Sequence, residues 1–132
     1  MTRSTLPLPE AVDYRSNARY ESAVLPGVTF AVRRPSLAQR ISLTTRARDL
    51  TLKNEFLKAG DVSDQLAISL SDLLVRKLYL EWGLLEIDGL TVNGEAATSA
   101  LLIEHGPEDL TEEILAAIKT ESWLNEDERK NF

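Results

Sequence analysis

Leu66-Ala67-Ile68-Ser69-Leu70-Ser71-Asp72-Leu73-Leu74-Val75-Arg76-Lys77-Leu78-Tyr79-Leu80-Glu81-Trp82 is the stretch that decides the fold. Wound at about 100° per residue, its apolar side chains occupy most of a helix circumference. Only Gln65, Ser69, Asp72 and Arg76 line up as a solvated stripe, and Asp72 and Arg76 stand at the i,i+4 spacing of a favourable ion pair. Asp61 or Ser63 can cap the start. The spacing therefore predicts a central helix over about 62–82. A helix this apolar needs cover on nearly all sides, and 132 residues leave little mass to supply it. A partner or self-association is the expected consequence.

Upstream, Pro35-Ser36 opens and Ala59-Gly60 closes a second long helix, over about 36–58. It carries two apolar stripes, Leu37, Ile41, Leu52 and Phe56 on one side and Leu43, Ala47, Leu50 and Leu57 on another, so it can touch two neighbours. Before it, Val28-Thr29-Phe30-Ala31-Val32 alternates as a short strand does. Residues 1–27 contain Pro7, Pro9 and Pro26 and little periodic apolar content, which predicts an extended, mobile arm. Downstream, Asp88-Gly89 and Asn93-Gly94 punctuate residues 84–94 as a small hairpin or loop. Shorter helices are expected over about 98–105, 108–120 and 125–131, with Gly106-Pro107 separating the first two. The expected fold is mainly α: a helical domain over 28–132 with a short strand and a small hairpin, preceded by the arm.

Apolar residues make up 43% of the chain and charged ones 27%, close to ordinary globular usage, which indicates neither wholesale disorder nor a membrane-embedded chain. The absence of cysteine excludes disulfides, a thiol nucleophile and Cys-ligated metal centres. Residues 1–10 contain no apolar run resembling a secretion signal, so a cytoplasmic location is expected. Charge is split along the chain. Residues 1–60 hold ten Lys/Arg against five Asp/Glu, while residues 61–132 hold five against sixteen. Such a division can orient a partner or a second copy.

No phosphate-cradling glycine motif or nucleophile elbow is present. The single histidine, His105, sits at a helix end, where the helix dipole explains it without catalysis. Glu104, His105, Glu108, Asp109, Glu112 and Glu113 include metal-ligand types, but Pro107 breaks the register that would bring them together. Arg33, Arg34, Arg40, Arg46, Arg48, Lys53 and Lys58 point in several directions around the helix without interleaved aromatics, so direct nucleic-acid binding is not expected. Neither a catalytic residue nor a cofactor or metal is expected. Trp82 reads as a core anchor; Trp123 suits either docking of the last helix or a partner contact.

Three segments resemble the tail assembly chaperones of long-tailed, siphovirus-like phages and related prophages. These are Val28 to Ser36, a strand running through a basic-Pro-Ser junction into a helix; Trp82-Gly83-Leu84-Leu85-Glu86-Ile87-Asp88-Gly89; and Gly106 to Ile114 together with the close Leu124 to Phe132. The resemblance implies a nonenzymatic, mainly helical protein of the host cytoplasm. Such a protein binds the tape-measure protein, keeps it soluble, helps recruit tail-tube subunits and is absent from the mature virion. It also implies that a frameshifted longer product often shares this domain. On this reading Leu43, Leu50 and Leu57 of the two-striped helix, with Trp123 and Leu124, are the first candidates for the binding surface. A permanent virion component, such as a head–tail connector or tail completion protein, is the alternative, and a small enzyme is a third reading disfavoured by the lone His105.

Overall fold

The computed structural model describes residues 11–55 and 61–122. The elements run β1 (Asn17–Glu21), β2 (Thr29–Arg33), α1 (Leu37–Glu55), α2 (Asp61–Gly83), β3 (Leu84–Asp88), β4 (Thr91–Val92), β5 (Glu95–Ala96), α3 (Ser99–His105) and α4 (Glu108–Ser122). Helices dominate, as expected, but a three-stranded sheet shares the core, so the fold is mixed α and β. Leu57, Trp123, Leu124 and the helix expected over 125–131 lie outside the described residues.

β2 is the central strand of an antiparallel sheet ordered β1-β2-β3. Its alternation sends Phe30 and Val32 to the inner face, where both are fully buried. In the β1–β2 register Ala18 lies opposite Val32 and Tyr20 opposite Phe30, and the two rings stack with centroids 5.6 Å apart. On the outer face Arg19, Ala31 and Glu86 stand in a row across the three strands. The small side chain of Ala31 leaves room for Arg19 to reach over it to Glu86, 2.8 Å away. Asn17–Glu21 falls within the stretch expected to be a free arm; the arm reading does not hold there, because these residues are a paired strand. β3 likewise is no local hairpin. It pairs with β2, with a bulge between Ala31 and Val32. The hairpin expected at Asn93-Gly94 forms, as β4 and β5, with both turn residues at positive φ (51° and 86°) as a two-residue primed turn requires.

Helix starts follow the local chemistry. Ser36 and Gln39 bond reciprocally through side chain and backbone to close the first turn of α1. The Thr98 hydroxyl accepts from the Leu101 N–H at the start of α3. α4 buries Leu110, Ile114, Leu115, Ala117 and Ile118 against the sheet and α2. Trp82, at the end of α2, is a core residue; Arg33 lies over its ring and donates to its carbonyl oxygen at 3.0 Å.

Two carboxylates of α4 lock this helix to the first two strands. Glu121 accepts from the Tyr20 hydroxyl and from Arg34 Nε. Burial, followed by that bond, pushes the Tyr20 phenol up to about 12, so it stays protonated and keeps donating through the neutral range. Glu113 accepts from the Ser22 hydroxyl and from the Ala23 N–H at 2.7 Å, pinning the β1–β2 connection. Burial pushes the Glu113 carboxyl up, but the bonds from Ser22, Ala23 and Val24 together outweigh it and hold the group below its ordinary value. A carboxyl depressed in the folded state adds stability that is fully present above the unfolded-state value and is lost as pH falls through the folded-state value. Glu113→Gln should therefore lower the unfolding free energy by about 1–2 kcal/mol at pH 7. The difference from wild type should shrink toward pH 3 in urea titrations.

Candidate functional site on the helical hairpin

α1 and α2 form a helical hairpin inserted between adjacent strands of the sheet, and α1 rests chiefly on α2. Leu43 is fully buried and Ala47 and Leu50 pack against the same core. The stripe expected to bind a partner through Leu43 and Leu50 thus faces inward. The opposite stripe is the exposed one: Leu37 is 77% and Ile41 58% exposed, with Leu52 beyond them.

α2 shows a sharper contrast. Its 23 residues span about 34 Å, whereas the seven of α3 cover about 10 Å and the fifteen of α4 about 22 Å. Cover from α3 and α4 is therefore confined to the C-terminal half, where Leu78, Leu80 and Trp82 are buried. In the N-terminal half Leu66, Ile68, Leu70 and Leu73 are each more than half exposed. Leu66, Leu70 and Leu73 recur at i, i+4 and i+7, so they share one face. The solvated stripe expected from sequence is correspondingly too narrow. The signal that could have located this ribbon is the shortness of the later helical segments, which cannot reach along all of α2.

The ribbon runs into a cleft of about 310 Å³ between α2, α3 and α4. Leu80, Leu102 and Leu115 lie at its floor and Leu73 and Ile103 on its walls. Arg76 stands on the rim, bonded to Asp72 and to Glu112 at 3.3 and 2.6 Å, so the expected i,i+4 pair forms and is extended to α4. An apolar strip ending in a cleft with a charged rim has the shape and chemistry that hold the apolar face of an amphipathic helix.

Other sequence candidates are placed elsewhere. His105 is the exposed last residue of α3. Of the neighbouring acids, Glu112 engages Arg76 and Glu113 engages Ser22, so their structural tasks pull them apart. Among the described residues no group of three or more His, Asp or Glu side chains is arranged to hold a metal ion, and no helix is long and apolar enough to cross a membrane. No protein-family model, curated protein or solved structure matches the chain.

Proposed function

We propose that this protein is a tail assembly chaperone of a long-tailed phage or prophage. It acts without enzymatic chemistry, in the host cytoplasm, by holding apolar helical segments of the tape-measure protein until tail-tube subunits surround them. The observation that carries the reading is the exposed ribbon Leu66, Leu70 and Leu73 leading into the α2–α3–α4 cleft. An unassembled tape-measure chain is long, helical and apolar, and its exposed faces aggregate unless they are covered. A helical hairpin that presents leucines outward supplies such cover, and the resemblance of the strand–helix junction and the segments around Gly83 and Pro107 supports the same reading.

The test is co-expression with the tape-measure protein of the same gene cluster. Wild type should raise the yield of soluble tape measure and co-purify with it. Leu70→Glu combined with Leu73→Glu should reduce co-purification by about 10-fold or more, since two anchor side chains of an interface are lost. An unchanged tape measure with and without this protein would sink the proposal. Stoichiometric copies in purified particles would instead favour a permanent virion component.

A further inference from the structure

Among the described residues, two apolar surfaces of the hairpin are exposed, one on α1 and one on α2, and they face away from each other. On α1, Leu37, Ile41 and Leu52 fall within about 60° of one another and roughly opposite the buried side that carries Leu43 and Leu50. On α2, Leu66, Leu70 and Leu73 also fall within about 60°, roughly 130° around the helix from buried Ser71 and Leu78. The α1 stripe is about 22 Å long from Leu37 to Leu52; the exposed α2 ribbon, from Leu66 to Leu73, is about 10.5 Å, and the cleft continues the same face.

Their charges are complementary. α1 carries Arg40, Arg46, Arg48 and Lys53 against Asp49 and Glu55, and Arg48 stands within the exposed stripe. Around the ribbon and cleft, Asp72, Glu104, Glu108, Asp109 and Glu112 stand against Arg76, Lys77 and Lys119. The rim residue Glu108 is exposed to solvent and faces the cleft, where a basic helix can meet it.

We infer that the free protein self-associates head to tail, the outer stripe of α1 from one copy lying along the α2 ribbon and cleft of the next. Because the two surfaces differ and face opposite ways, the contact is heterologous: every copy added leaves one stripe and one ribbon free, and assembly continues past the dimer. The inference rests on the free chain and does not need the tape-measure reading. If both hold, the tape measure and the neighbouring copy compete for the same leucines.

Sedimentation velocity of the full chain alone tests it. The wild-type average mass should rise with concentration beyond that of a dimer. Ile41→Glu removes the stripe but keeps the ribbon, and Leu70→Glu does the reverse; both side chains are exposed, so circular dichroism should report intact helices. Each variant alone should be a monomer, with self-association weakened by about 10-fold or more. Mixed in equal amounts, the two should form one-to-one dimers and nothing larger, because only one intact stripe and one intact ribbon can meet. A wild type that stays monomeric at every concentration would overturn the inference, as would folded variants that fail to pair when mixed or that assemble individually as wild type does. Neither result would bear on tape-measure rescue, which is measured separately.

Discussion

Phe30→Ala should lower the unfolding free energy by about 3–5 kcal/mol, the cost of deleting a fully buried aromatic ring. Phe30 sits at the middle of the central strand, opposite Tyr20 on β1 and Ile87 on β3, and α4 packs across it. It is 1% exposed and stacks on Tyr20 with the ring planes 10° apart. The truncation therefore opens a cavity in the core that sheet and helices share, and it removes the stacking partner of a tyrosine whose hydroxyl anchors α4 through Glu121. Domains of this size have roughly 5–15 kcal/mol in total, so the variant should be marginal. Urea denaturation followed by tryptophan fluorescence measures the loss. Phe30→Leu, which keeps most of the volume, should cost about 1–1.5 kcal/mol. A Phe30→Ala protein within about 1 kcal/mol of wild type would show that this ring does not hold the two layers together.

Gly89→Ala should cost roughly 2–4 kcal/mol, although it adds a single methyl group. Two effects act together. Gly89 has φ +84°, where any L side chain is strained, and a Cβ built there would lie 2.5 Å from the carbonyl oxygen of Gly27, a backbone atom with no rotamer to yield. The turn leaving β3 and the turn entering β2 can cross this closely only because Gly89 has no side chain. Gly94 provides the control: φ is +86°, but nothing lies within 4 Å of an added Cβ. Gly94→Ala should therefore cost about 1–2 kcal/mol from backbone strain alone. Thermal melts of both variants separate the terms. Equal losses would mean that the approach to Gly27 relaxes at little cost.

The helices were legible because each carries its own signal. Apolar residues recur at helical spacing in α2 and α4, Ser36 and Thr98 cap starts, and Gly106-Pro107 separates α3 from α4. The Asn93-Gly94 turn was legible for the same local reason. Asn17-Ala18-Arg19-Tyr20-Glu21 was not. Its two inward side chains are an alanine and a tyrosine, and what makes it a strand lies far away: β2 beside it, and Glu113 and Glu121 of α4 beneath it. β3 hid similarly, since its partner precedes the whole hairpin in sequence. The two stripes of α1 posed a different difficulty. Each is a good apolar face, and choosing between them depends on where α2 lies. The burial of Leu43 and exposure of Ile41 are tertiary facts that no window of local sequence encodes.

Val32 stands opposite Leu84 in the sheet, so the chain leaves β2 and returns to β3 about one strand spacing, roughly 4.8 Å, from where it left. Residues 34–83 are in that sense a detour whose two feet are adjacent. Such a detour can change length in evolution without disturbing what it is planted on. Adding seven residues to each of α1 and α2 would carry the tip outward by about 10.5 Å while keeping nearly the same faces outward and inward. Versions of this protein with a longer or shorter hairpin are thus reachable by paired insertions or deletions, with Phe30, Val32, Ile114 and Ile118 left as they are.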